Sequence, residues 1–171
     1  IVTAVSTRGQ ILFLTDTSAH GMSFIGAPFT FGFQKLGTNC GAVSPHCAVD
    51  ISGMVYWMSS DGFYMFDGTV RKMPCSVEDF VFDNIDTTQL EQVYAGSNSA
   101  YGEVMWFYCS TDSNQIDRYV IFNYQENLWY TGSLDRSTWI DSGTYSLPYA
   151  TKYDGSANTT DPSIFKRGLL W

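Results

Sequence analysis

Residues 53–73 (GMVYWMSSDGFYMFDGTVRKM) fall into three short runs of alternating apolar and polar positions, parted by Asp61-Gly62 and Asp67-Gly68. A period of two sends side chains to opposite faces of a strand, so Val55 and Trp57 share one face and Tyr56 and Met58 the other. The Phe63-Tyr64-Met65-Phe66 run then meets residues 69–73 across Asp67-Gly68, a pair that tolerates the positive φ of a tight hairpin. The pattern predicts a three-stranded antiparallel meander.

The meander recurs. Gly102-Glu103-Val104-Met105-Trp106-Phe107-Tyr108 repeats the Gly-x-Val-x-Trp order of Gly53–Trp57, displaced by about 49 residues, within the range of kelch-like propeller repeats. Residues 118–124 (RYVIFNY) and 128–132 (LWYTG) flank Gln125-Glu126-Asn127, which reads as a three-residue hairpin loop with Asn127 in the left-handed region. Upstream, residues 10–15 (QILFLT) read as a strand, 16–20 as a turn and 21–25 as a returning partner. Phe29, Phe31 and Phe33 alternate with Thr30 and Gly32, giving a strand with an aromatic face, and turn-formers make 36–45 a loop. A new unit begins at 48–51, and Ser52-Gly53 turns into the Trp57 strand. Residues 137–142 and 147–153 suggest a third unit ending at Asp154-Gly155, followed by a polar stretch at 156–162 and a further start at 164–171.

The expected fold is all-β: a partial β-propeller of about three to three and a half blades of antiparallel meanders. The blades are placed at 1–37, 42–75, 92–134 and 135–171, within one propeller domain. Closed propellers need at least about four blades. With the strand-like start at Ile1 and the apolar Leu169-Leu170-Trp171 end, the count leads us to expect a fragment of a longer chain, completed by missing sequence or by neighbours.

One segment breaks the period. In the connector 76–91, Ser76-Val77-Glu78-Asp79 resembles a capping box, and Val77, Phe80, Val81 and Ile85 fall at helical spacing. Asp86-Thr87-Thr88-Gln89-Leu90-Glu91 could start a second short helix. Glu78, Asp79, Asp83 and Asp86 crowd this insert. Paired carboxylates serve glycosidases, but such pairs converge from different strands, whereas these share one helix and its flank. They read as a solvated acidic face and as the candidate contact to another subunit or to an adaptor protein.

Composition narrows the chemistry. Aromatic residues make up 16% of the chain and charged residues only 15%, which suits sheets buried on both faces. A net charge of -8 opposes a surface that grips phosphates, which depends on Lys and Arg. Cys40, Cys47, Cys75 and Cys109 form no Cys-x-x-Cys, and His20 and His46 complete no zinc pattern. The cysteines read as buried, reduced thiols, a Cys40–Cys47 disulfide being the alternative. No signal peptide or membrane-spanning run is visible. Nucleophile elbows and phosphate loops are missing too. Asp141-Ser142-Gly143-Thr144-Tyr145 resembles part of the Asp-box turn of sialidase-like propellers, with Trp139 where that motif has Ser or Thr. Asn158-Thr159-Thr160 is a formal glycosylation sequon. These residues carry no catalytic, metal or cofactor site, and no enzyme is expected.

Three stretches resemble tail proteins of short-tailed bacteriophages. They are residues 40–46 (CGAVSPH) with 53–58 (GMVYWM), residues 117–124 (DRYVIFNY), and 126–130 (ENLWY) with 135–139 (DRSTW). The likeness spans roughly residues 26–150 and is most specific at 118–130. It points to the podovirus-like tail hub or nozzle proteins, also described as packaged-DNA stabilisation proteins. It implies a propeller-bearing structural virion subunit, assembled in the host bacterial cytoplasm as a ring, typically a hexamer, around the DNA exit channel. The implied partners are further copies of the chain, tail adaptor, needle or fibre proteins, and double-stranded DNA in non-specific passage. No cofactor and no membrane insertion are implied. The alternatives are a glycan-binding or glycan-cleaving propeller of a phage tail, and a kelch-like interaction module whose Gly-Gly and spaced Tyr…Trp pattern this chain does not carry.

Overall fold

The computed structural model describes residues 1–143, 147–152 and, as backbone, 164–166. It has two compact units, residues 1–78 and 79–171. Unit 1 holds two four-stranded antiparallel meanders. The first is β1 (Thr3–Ser6), β2 (Ile11–Leu14), β3 (Ser18–Phe24) and β4 (Phe31–Thr38); the second is β5 (Ala48–Ile51), β6 (Met54–Ser59), β7 (Gly62–Phe66) and β8 (Val70–Lys72). In unit 2 a third meander contains β9 (Tyr94–Asn98), β10 (Glu103–Tyr108), β11 (Arg118–Asn123) and β12 (Leu128–Ser133). A last sheet has three strands, β13 (Thr138–Ile140), β14 (Tyr149–Thr151) and β15 (Ile164–Lys166). The described residues are therefore all-β, four antiparallel sheets of the kind that make propeller blades or sandwiches, with one short helical insertion.

The two Gly-x-Val-x-Trp motifs fold alike. Gly53 and Gly102 each take positive φ (91° and 68°) at the turn entering a central strand. Val55 and Trp57 on β6, and Val104 and Trp106 on β10, are fully buried. Tyr56 and Met58 are buried as well, on the other face of β6, so the central strands are covered on both sides. Trp57 stacks on Tyr64 of β7 with centroids 5.8 Å apart and planes 20° apart. Trp106 stacks on Trp129 of β12 at 6.1 Å and 19°. In unit 2 the other side of β10, Met105 and Phe107, joins a core with Cys109, Ile116, Leu134, Trp139 and Ala150.

The turns differ in detail from the sequence expectation. Phe66 pairs with Val70, so Asp67-Gly68-Thr69 is a three-residue loop, and only Gly68 has positive φ (118°). The two-residue turn with two positive φ values is Ser52-Gly53 (54° and 91°), between the paired Ile51 and Met54. Asp50 Oδ1 accepts the Gly53 N–H there at 3.0 Å. Asn127 does sit in the left-handed region (φ 55°), but its loop has four residues, since Asn123 pairs with Leu128. The 36–45 loop begins later than expected: Ala19 and Ser18 pair with Gly37 and Thr38 beyond a bulge at Ala19/His20. Cross-strand pairing there overrides the turn-forming composition.

The insert forms α1 (Glu78–Asn84) and a single 3-10 turn (Leu90–Gln92). Val81 and Ile85 are buried, while Phe80 is 51% exposed. A helix of seven residues has under two turns, so it buries only a short apolar edge. The predicted turn at Asp154-Gly155 and the sequon at Asn158 lie outside the described residues. Among the described residues, no helix is long and apolar enough to cross a membrane.

Candidate functional site

Among the described residues, a cluster of exposed large apolar side chains lies on the hairpin β3–β4. Register pairs Ser6, Ile11, Met22 and Phe33 across the four strands, and Phe24 with Phe31 beside them. A strand's period of two puts these side chains on one face, together with Phe13, whose ring lies 6.5 Å from that of Phe33. Phe24 and Phe31 meet edge to face at 6.1 Å. Ile11, Phe13 and Met22 are half-buried, while Phe24, Phe31 and Phe33 are exposed, as are Ile25 and Phe29 at the connecting loop. On the opposite face Leu12, Leu14 and Ala19 are fully buried. Alternation in the sequence marks Phe29, Phe31 and Phe33 as a strand face. It does not mark the face as open, and Phe24 and Ile25 were not singled out. The one sequence signal was charge: no Asp or Glu occurs between Asp16 and Asp50.

The four insert carboxylates do not form one cluster of free groups. Glu78 accepts a hydrogen bond and ion pair from Lys72 Nζ at 2.9 Å, and that bond, more than anything else, raises the Lys72 pKa. Asp86 accepts the Thr88 N–H at 2.8 Å and the Thr88 hydroxyl at 2.7 Å, closing a turn. Asp79 and Asp83 are exposed on α1. Two of the four are thus structural, and two remain as a solvated face.

Unit 2 has a shallow groove of about 170 Å³ lined by Gln92, Ser113, Gln115, Ile116, Asp117, Asp135 and Ser137. Its two carboxylates come from different strand ends. Asp117 is occupied locally: Ser110 donates its N–H at 2.8 Å and its hydroxyl at 2.7 Å. The Asp135 carboxylate accepts from Lys152 Nζ, which holds it below the usual range. A glycosidase acid needs the reverse, a raised pKa. Asp141, the reduced Asp-box position, is a turn clamp. Its Oδ2 accepts Ser97 Oγ (3.0 Å) and Ser99 N–H (2.8 Å), while Trp139 Nε1 donates to Ser97 O at 2.8 Å. Thr144 and Tyr145 of that motif lie outside the described residues.

The thiols are free, and Cys40, Cys47 and Cys109 are buried, whereas Cys75 is only half-buried, short of the burial expected for all four. Burial raises every one of them; Cys75 and Cys109 reach about 11, with Glu78 pushing the former and Asp117 and Asp86 the latter in the same direction. Burial and then Asp61 raise Tyr64 to about 12. A raised folded-state pKa means that the native chain holds the proton more tightly than the unfolded chain. Its contribution is present in full below the ordinary thiol value of about 9 and disappears as pH rises through about 11. The melting temperature is therefore expected to fall steadily from pH 8.5 to about 11. A flat profile in thermal melts over that range would contradict this. Among the described residues, no group of three or more His, Cys, Asp or Glu side chains is placed to hold a metal.

No protein-family model matches the chain, and no curated protein matches it.

Proposed function

We propose that the chain is a structural virion component, a subunit of the tail hub or nozzle ring of a short-tailed phage, holding packaged DNA and passing it during ejection. The observation that carries an assembly role is the open aromatic face of β3–β4 on a scaffold of doubly covered strands. Rigid sheets that present apolar surface suit protein partners better than turnover. The phage assignment rests on the sequence resemblance at residues 26–150. The net charge of -8 supports passage of DNA without adhesion, since phosphate binding follows Lys and Arg. Asp79 and Asp83, exposed on α1, are the carboxylates best placed for an adaptor contact.

Electron microscopy of the purified chain tests the ring. Closed rings, six-fold in class averages and pierced by an axial channel, are the expected result. Lone chains at every concentration would refute it. A second reading, a glycan-binding propeller of a phage tail, draws on the amide- and carboxylate-lined groove at Gln92, Gln115, Asp117 and Asp135. The engaged carboxylates there favour binding over cleavage.

A further inference from the structure

The area left open on β3–β4 is of the size that protein interfaces use. An aromatic side chain presents roughly 200 Å². Phe24, Phe29, Phe31 and Phe33 are exposed by 72%, 71%, 52% and 72%, and Ile25 by 57%. On the one sheet face Phe24, Phe31 and Phe33 therefore leave roughly 400 Å² of apolar surface in water, within the range of the largest patch on a typical monomer, while Ile25 lies over Gly32 on the other side. A standard interface buries about 800 Å² per partner, somewhat more than half of it apolar. These three rings supply most of that apolar share.

Charge and shape select the occupant. Residues 17–49 contain no carboxylate, and Lys35 is their one formal charge, while all 17 acidic residues lie elsewhere. Two chains of charge -8 repel each other least where neither shows a carboxylate. An anionic bilayer would gain only Lys35 and would be repelled by the rest of the surface. The cross-strand pairs Met22–Phe33 and Phe24–Phe31 carry the apolar surface from the loop at Ile25 and Phe29 onto the sheet face. A flat sheet face of this kind is covered by another sheet face, about 10 Å away.

We propose that the Phe24, Phe31 and Phe33 face of β3–β4 is the docking surface for a second copy of this chain, face against face. A two-fold pair of this kind is closed in itself, so it stands whether or not copies also form rings. Because the net charges repel and the contact is apolar, added salt strengthens the pair.

Sedimentation equilibrium of the full chain, with Phe24→Ser/Phe33→Ser beside it, tests the proposal. The wild type is expected to associate as concentration rises, with the two-copy pair as the first species beyond the single chain. The double variant is expected to dissociate at least about tenfold more readily, with an unchanged circular-dichroism spectrum, since both side chains are exposed. Should the variant misfold, oxidative footprinting of the wild type at low and high concentration reads the same contact, with Phe24 and Phe33 protected on association. A wild type that stays monomeric overturns the proposal. So does a pair that survives the substitutions, or a footprint at Phe24 and Phe33 that does not change. Binding of a monomeric wild type to phosphatidylcholine vesicles, lost in the double variant, would assign the face to lipid instead.

Discussion

Trp57→Ala is expected to lower the stability of unit 1 by about 5 kcal/mol in urea unfolding, a loss comparable to the whole stability of many small domains. Two effects act together. The indole is fully buried, and truncating a buried Trp costs about 3–5 kcal/mol through lost contacts and the cavity left behind. Its Nε1 also donates to Cys40 O at 2.8 Å, and a buried carbonyl stripped of its donor adds about 1–3 kcal/mol. The neighbouring carbonyl, Asn39 O, accepts the Tyr64 hydroxyl at 2.9 Å. The stacked pair thus fastens the β4–β5 connection to the second sheet through consecutive carbonyls, at a place where Asn39 holds a positive φ of 55°. Trp57→Phe keeps a ring over Tyr64 and loses the donor, so about 1–3 kcal/mol is expected. If the alanine variant loses no more than the phenylalanine variant, the buried indole is not what secures this connection.

The part of the fold legible in the sequence is the part governed by local period. Val55, Trp57, Val104 and Trp106 were readable because a repeated Gly-x-Val-x-Trp order puts a turn glycine two residues before a buried valine, and both copies obey it. Turn geometry was less legible. Asp67-Gly68 has the composition of a two-residue turn, yet the Phe66–Val70 pairing adds Thr69 to the loop, while Ser52-Gly53 takes the tight form. Register, a matter between strands, decides both. The open face of β3–β4 was half legible: alternation gave the aromatic row, but exposure depends on what packs against it, which no local pattern records. For the carboxylates, composition could not separate Glu78, held by Lys72, and Asp86, held by Thr88, from the solvated Asp79 and Asp83. The half-buried Cys75 misses for the same reason, since type predicts burial only on average.

Gly41→Ala should cost at least about 3 kcal/mol, although it adds a single methyl group. The reason is where that methyl would go. A Cβ on residue 41 would lie 2.0 Å from Asp16 O, 2.1 Å from Asp16 C and 2.5 Å from Thr17 N, all backbone atoms. The backbone cannot step aside there, because Ala42 N–H donates to Thr15 O at 2.8 Å and Cys40 N–H to Thr17 O at 3.3 Å, one bond on each side of the glycine. Relief requires breaking one or both, and Thr15 is itself fixed, its hydroxyl accepting the Ser18 N–H at 2.9 Å. For a chain of this size a 3 kcal/mol loss lowers the melting temperature by roughly 6–12 °C. Gly143→Ala is the control: a Cβ there meets nothing within 4 Å, so a change within about 0.5 kcal/mol is expected. Equal melting temperatures for the two variants would mean that the Asp16–Thr17 turn and residue 41 are not packed backbone against backbone. Because Trp57 also grips this segment through Cys40, Gly41→Ala and Trp57→Ala should not be additive. Once the 39–42 segment has been levered off the turn, the indole has less left to hold, and the double variant should lose less than the two single losses combined.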